Sequence, residues 1–297
     1  MSNITTATAV VYQEYDMENP PPAPPSPDWT RFVCISDTHS RTFRVPPGDV
    51  LLHSGDLTNT GLVTEFRTTI EWLRAMPHPT KIIIAGNHDL SLDQHDDWYT
   101  LHYSRWHRKK QDIEVIRELL IGPESKAAGL VYLEDAQYQF QTKPDGKVWS
   151  VYGSPWSPDF YNWGFNYDRG VQADDIVKAI PKVDILLTHG PPAGILDTVV
   201  DGTAVGCESL KARMSVLRPR LHVFGHIHEA HGAVIRNWDS NSNTIPTDDL
   251  STSQSVHINA ANWPAGPRSR VAGQRFAFGT GHFQPVIVDL LNSVSAS

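Results

Sequence analysis

Cysteine is scarce in this chain: Cys34 and Cys207 are the only two in 297 residues. Cys34 sits inside an apolar, strand-like run and reads as a small buried hydrophobe rather than half of a bridge. A disulfide-stapled secreted framework is therefore excluded, and a reducing, cytoplasmic setting is expected. Long apolar runs are missing too. None approaches the roughly 18 residues needed to cross a bilayer, and the N-terminus "MSNITTATAVVYQEYDMENP" has neither the basic start nor the continuous apolar segment of an export signal. No membrane partner is expected. Positive charge is also in short supply, with 25 Lys and Arg against 33 Asp and Glu and a formal net charge of −8. That balance disfavours an extended nucleic-acid surface, which needs a cationic excess to neutralise phosphates. A small anionic ligand stays compatible if something local supplies positive charge.

What is present is an ordinary globular composition, 40% hydrophobic and 20% charged, enough to bury a full core. The stretch "NPPPAPPSPD" (residues 19–28) should run as extended polyproline and mark a border. Residues 1–27 read as a peripheral tail and 28–297 as the folded body. From Trp29 onward, short β-rich runs recur at "RFVCI", "DVLLH", "KIIIA", "VWSVYG", "VDILLT", "RLHVF", "SVHIN" and "QPVIVDL". Between them lie helical spacings. Leu62, Phe66, Ile70 and Leu73 share a face before Pro77; Ile113, Ile116 and Leu120 repeat the pattern; Cys207, Leu210, Met214 and Leu217 do so before Pro219. Alternating strands and helices predict βαβ units, and the β-rich tail predicts a second sheet packed on the first. The polar segment 237–255 reads as a surface insertion.

Five of the β runs end in metal-competent residues. "FVCI" leads to Asp37 and His39, "VLLH" to Asp56, "KIIIA" to Gly86-Asn87-His88-Asp89, "DILLT" to His189, and "LHVF" to His226 and His228. Open α/β sheets place ligands beyond the carboxyl ends of their strands, so five such ends can share one crevice. Besides His88, the set offers three carboxylate or amide groups and four imidazoles. That is more than one tetrahedral ion accepts, and it suits two adjacent cations sharing a carboxylate. Gly86 would let the chain turn off its strand. His53 and His222 sit within strand runs and read as packed histidines, while His102 and His107 read as solvated.

The ordered blocks Asp37-x-His39, Gly55-Asp56, Gly86-Asn-His-Asp89, His189 and Gly225-His-x-His228 resemble the calcineurin-like metallophosphoesterase superfamily over about residues 32–290. Text such as "GSPWSP", "DILLTHGPP" and "LHVFGHIHE" is similar to the metallophosphoesterase-domain proteins of animals, which resemble class III cyclic-nucleotide phosphodiesterases. The resemblance implies an α/β fold, a four-layer αββα sandwich of two mixed β-sheets flanked by helices. It implies that Asp37, His39 and His228 hold one ion, that Asn87, His189 and His226 hold the other, and that Asp56 bridges. His88 would be the catalytic histidine facing the leaving oxygen. Two cations so placed would ready a hydroxide for attack on phosphorus at neutral pH. Mn or Fe is favoured on the mixed ligand set, with Zn, Co, Ni or Mg also compatible.

The expected activity is hydrolysis of small phosphodiesters such as cyclic nucleotides. A phosphomonoesterase or phosphoprotein phosphatase and a non-catalytic scaffold are the alternatives. Some relatives carry an acidic residue three positions after the bridging Asp to orient the histidine. Here that position is Asn59, with Asp89 as the other candidate for support. The loop "GSPWSPDFYNWGFNYDRG" offers rings such as Trp156 to stack on a substrate and Arg169 to pair with its phosphate, although its aromatics can equally weld the loop to the body.

Overall fold

The structure, a computed structural model, describes residues 2–238 and 253–292. Most of the polar insertion expected at 237–255 lies outside the described residues. Two sheets organise the rest. The first contains β1 (Ser2–Thr5), β2 (Ala9–Glu14), β3 (Trp29–Ile35), β4 (Val50–Ser54), β5 (Thr80–Ile84) and β6 (Leu130–Tyr132), together with the last strand, β17 (Val286–Leu291). The second contains β7 (Ala136–Phe140), β8 (Trp149–Ser154), β11 (Ile185–Thr188), β12 (Leu221–Phe224), β13 (Gly232–Asn237) and β14 (Gln254–Asn259). Short ribbons β9 (Ser157–Pro158) with β10 (Asn166–Tyr167), and β15 (Arg270–Val271) with β16 (Gln274–Arg275), decorate the loops.

The first sheet runs in the order β1-β2-β17-β3-β4-β5-β6 and the second in the order β13-β14-β12-β11-β8-β7. In each, four parallel strands form the centre: β3 to β6 in one, and β8, β11, β12 and β14 in the other. Antiparallel strands close both edges of the second sheet and one edge of the first, whose other edge is the parallel β6. Parallel strands are buried on both faces, which is why they read as unbroken apolar runs. Phe32, Val50 and Ile84 meet Trp149, Leu187 and Val223 between the sheets. Each such side chain contributes roughly 1.5–3 kcal/mol on full burial.

Helices α1 (Val63–Arg74), α2 (Trp98–His102), α3 (Ile113–Ile121), α4 (Pro123–Ala127), α5 (Val171–Lys178) and α6 (Glu208–Leu217) form the outer layers. Phe66, Ile70, Leu73, Ile116 and Leu120 cover the outer face of the first sheet. Val177, Leu210, Met214 and Leu217 cover that of the second. The architecture is thus the expected four-layer αββα sandwich, and the three amphipathic stripes are core faces.

Three expectations change. Residues 2–14 are not a peripheral tail: β2 pairs with β17 and Val11 is wholly buried. The run Ala9–Tyr12 supplies the β-branched side chains that a strand next to an edge needs. The polyproline stretch is pinned instead by Arg31, whose guanidinium donates to the Pro21 and Pro22 carbonyls (3.2 and 2.6 Å) while pairing with Asp289 at 2.7 Å. The last strand joins the first sheet, so the two sheets are not early and late halves of the chain. Asn237 and Gln254 are opposed strand residues of β13 and β14, so the insertion starts and ends inside its expected limits.

Candidate metal centre and cleft

All five blocks leave carboxyl ends of central parallel strands, β3, β4 and β5 of one sheet and β11 and β12 of the other. β4 packs across from β11 and β12, which brings the ends together. The loops are then laced to each other: the Asp37 N–H donates to Gly55 O, the His39 N–H to Asp56 O and the Gly225 N–H to His189 O, all at 3.0 Å. Asp37, His39, Asp56 and His226 adopt φ of 53, 46, 54 and 66°. L residues enter that left-handed region at roughly 1–2 kcal/mol each. Four strained residues in one cluster mark a place where the surrounding fold dictates conformation for a reason other than stability.

Glycine works here through clearance. A Cβ on Gly86 would overlap Asp56 Oδ1 and come within 2.6 Å of His189 Cε1, and one on Gly225 would collide with Asp37 Oδ2. Gly86 has no left-handed φ, so its part is to let Asp56 and His189 approach rather than to turn the chain.

The side chains form two groups around Asp56. In the first, ligand-capable atoms of Asp37, His39, Asp56 and His228 all lie within 4.8 Å of one another. His39 Nδ1 faces the Thr58 carbonyl at 3.2 Å and must donate to it, which leaves Nε2 as a lone pair. That Nε2 is buried without a hydrogen-bond partner, 3.7 Å from Asp56 Oδ2. His228 Nε2 lies 3.0 Å from Asp37 Oδ1. In the second group His189 Nδ1 donates to Ser54 O at 2.9 Å, and its Nε2 sits 3.4 Å from Asp56 Oδ1. Asn87 Oδ1 lies 2.8 Å from both His189 Nε2 and His226 Nδ1. Each oxygen of Asp56 therefore faces one group.

The electrostatics call for cations. Burial pushes His39 and His226 down to about 3, so both rings are neutral and offer lone pairs. Burial would raise Asp37, yet the His228 hydrogen bond and charge hold it at about 2. Asp56 stays well below the usual carboxylate range, the positive charge drawn to His189 outweighing burial. Burial lowers His189 less than the Asp56 and Asp37 carboxylates raise it, which brings it to about 9. Two buried anions thus draw positive charge to the spot where the lone pairs converge. An orphaned imidazole nitrogen, two ionised carboxylates, an amide oxygen and neutral imidazoles fit a pair of divalent cations.

His88 is set apart. Its Nδ1 donates to the Asn59 carbonyl at 2.7 Å, its N–H to Asp56 Oδ1 at 2.8 Å, and its ring lies 4.1 Å from that of Trp163. The residue at position 59 thus orients the ring through its backbone. The Asn59 amide itself donates to His39 O (3.0 Å) and Glu65 Oε1 (2.9 Å) and does not line the cleft. Asp89 does not touch the His88 ring either. It is wholly buried and accepts from Leu57 N, Thr58 N, Thr58 Oγ1 and Gly86 N at 2.7–3.1 Å. Burial and the Asp56 charge push its carboxyl up to about 7 against those four donors.

A cleft of about 430 Å³ opens from Asp56, Asn87, His88, His226 and His228. Arg169 lines it, but donates to Val205 O (2.6 Å), Gly206 O (2.7 Å) and Glu208 (2.6 Å). Trp156 does not line it: its indole N–H is bonded to Asp135 at 2.7 Å and its ring packs on His95 and Phe165. The loop reading in which the aromatics act as anchors holds for Trp156. His53 and His222 are packed as expected, whereas His107 is buried against Tyr99 OH at 2.8 Å rather than solvated. Trp263 is an addition: it stacks on His228 and meets His39 edge-on, with ring centres 5.8 and 4.9 Å away. Nothing in its surroundings, "ANWPAG", signalled that.

A family model described as calcineurin-like phosphoesterase matches residues 30–230, a span holding every residue of the two groups and His88. The chain belongs to the calcineurin-like phosphoesterase family. Metallophosphoesterase domain-containing protein 1 of Homo sapiens is 43% identical over 228 residues, covering 72% of this chain and 65% of the relative. A UPF0046 protein of Caenorhabditis elegans is 37% identical over 218 residues, covering 70% of this chain and 54% of the relative. The chain thus spans a little over half to just under two thirds of these relatives' lengths. One solved structure matches with a TM-score of 0.50 at 11% identity, over 78% of this chain and 91% of its own, a likeness of fold alone. Among the described residues, no helix is long and apolar enough to cross a membrane.

Proposed function

We propose that the chain is a dinuclear-metal phosphodiesterase acting on small diesters, cyclic nucleotides among them. The observation that carries this reading is Asp56: its two oxygens face two separate imidazole groups, one of which leaves His39 Nε2 buried and unpartnered. Asp37, His39 and His228 would hold one cation, Asn87, His189 and His226 the other, with Asp56 between them. Such a pair supplies Lewis acidity for the phosphoryl oxygens and lowers the pKa of water toward neutrality. Mn or Fe suits the mixed imidazole and oxygen donors best, with Zn, Co, Ni and Mg compatible.

The chain's own residues would do the rest. Asn87 and the imidazoles fix where the phosphoryl group sits, and electrostatic positioning is most of what phosphoryl transfer needs. His88, with Nδ1 committed to the Asn59 carbonyl, keeps Nε2 for the leaving oxygen and can deliver a proton to it. General-acid help of that kind is worth on the order of 10² to 10⁴ in rate. Trp163 against one face of the ring and the edge of His39 nearby (centroids 4.6 Å) restrict its rotation.

The test is a manganese-supplemented panel of bis-p-nitrophenyl phosphate, p-nitrophenyl phosphate, 3′,5′- and 2′,3′-cyclic nucleotides and a phosphopeptide. Diester turnover that EDTA abolishes is the expected result. Monoester turnover with no diester turnover would replace this reading with a monoesterase.

A further inference from the structure

Beyond the metal-competent groups the cleft has two further qualities. One wall is apolar, formed by Pro158, Phe160, Val199, Val205 and Ile227. Phe160 is 54% exposed and meets His226 (6.3 Å) and Tyr161 (4.7 Å) edge-on, so its ring lines the cleft beside the reacting centre with more than half of the residue open. The other quality is charge. Among the described lining residues the one arginine, Arg169, is bonded to Glu208 and to two carbonyls, while Asp159 and Glu229 contribute two carboxylates; Arg268 sits behind the lining on the Glu229 carbonyl at 2.9 Å. Away from the metal groups the described lining is therefore largely apolar and faintly anionic.

Resting on the phosphodiesterase reading, we propose that this cleft selects singly charged diesters whose second, non-leaving ester group is flat and uncharged, and turns away substrates that carry a further anion. Phe160 is the stacking platform, and Asp159 with Glu229 forms the charge filter. A planar group on the Phe160 face gains ring contact and apolar burial worth roughly tenfold in affinity. Beyond the metal groups a second anion meets those two carboxylates, and the one arginine among the described lining residues is already paired with Glu208. That penalty amounts to roughly fivefold at low salt and fades as salt screens it.

Four p-nitrophenyl diesters test this while the leaving group stays constant, with methyl, phenyl, 2-carbamoylethyl and 2-carboxyethyl as the second group. In the manganese-loaded wild type, kcat/KM should favour phenyl over methyl roughly tenfold and carbamoylethyl over carboxyethyl roughly fivefold. Phe160→Ser should bring the first ratio near unity and leave the second. Asp159→Asn with Glu229→Gln should do the reverse. Calorimetric Kd values for methyl(phenyl)phosphinate and dimethylphosphinate, which cannot be hydrolysed, should follow the phenyl preference and lose it in Phe160→Ser. Flat ratios in the wild type, or ratios that the variants do not move, overturn the filter while leaving the phosphodiesterase reading intact. Turnover of p-nitrophenyl phosphate with none of the four diesters overturns the phosphodiesterase reading and the filter with it.

Discussion

Replacing Asp89 by alanine should cost this protein about 3–5 kcal/mol of stability, a large share of the roughly 5–15 kcal/mol typical of a folded domain. The wholly buried carboxylate accepts four hydrogen bonds: from Leu57 N and Gly86 N on one oxygen (3.1 and 2.9 Å), and from Thr58 N and Thr58 Oγ1 on the other (2.9 and 2.7 Å). Each donor left buried without an acceptor costs about 1–3 kcal/mol, so independent losses would sum to about 4–12 kcal/mol. They are not independent. The Thr58 hydroxyl can turn toward His88 O, already 3.4 Å away, and water entering the vacated space can satisfy one or two N–H groups, which brings the figure down to about 3–5 kcal/mol. Asp89→Asn keeps one acceptor oxygen but turns an NH₂ toward two donors, and should fall between wild type and alanine.

The measurement is urea unfolding of EDTA-treated protein, followed by tryptophan fluorescence and circular dichroism, so that bound metal does not shift the midpoint by mass action. With a slope of about 3 kcal/mol/M, the alanine variant should unfold at least ~1 M earlier. Asp89 ties the loop carrying Asp56 to the loop carrying Asn87 and His88, so manganese affinity should fall along with stability. A loss below about 1 kcal/mol at unchanged slope would refute the staple, because it would mean that the four donors find other partners at little cost.

Asp56→Asn should lose activity together with bound metal, and full metal occupancy by mass spectrometry in that variant would remove Asp56 from its bridging place. His88→Ala should keep its metal yet lose on the order of 10²-fold or more on alkyl esters, and far less on p-nitrophenyl esters, whose leaving groups need no proton. Equal losses on both would count against proton delivery by His88. Gly225→Ala should destabilise the apo protein by about 1–3 kcal/mol and weaken metal binding, since its methyl group meets Asp37 and Ser36; Gly202→Ala, strained by a φ of 89° but with open space around it, is the control and should lose stability while keeping metal affinity. His231, which faces the Gln284 carbonyl at 3.1 Å, and His257 are buried and belong to neither ligand group, and burial pushes both down to about 3. The unfolded chain therefore binds more protons below about pH 6.5, and stability should fall as pH drops from there toward 3, at up to about 3 kcal/mol per unit from this pair. A urea midpoint that stays constant between pH 6 and pH 4.5 would contradict this.

Seven of the eight parallel strands of the two main sheets were legible because burial on both faces writes them as continuous apolar runs, the exception being the three-residue, half-buried edge strand β6, and the five polar blocks were legible because each follows such a run. Less could be read wherever function passes through backbone or through distance. The residue that orients His88 was sought among side chains at positions 59 and 89, whereas the orienting atom is the Asn59 carbonyl, a group every residue type carries. Trp263 reaches His39 and His228 only because β14 lies beside β12. The strand at residues 9–14 was overshadowed by the prolines after it, and only the antiparallel return of β17 gives it a partner. The left-handed φ values of Asp37, His39, Asp56 and His226 left no mark in composition at all. They do explain why glycine accompanies these blocks at positions that need no positive φ. Strained loops can be held only by packing them against one another, and Gly86 and Gly225 are where the opposing carboxylates press closest. Gly86 and Gly225 and the acids they face are therefore one device: the glycines remove the atoms that would keep Asp56 and Asp37 from meeting the opposite loops.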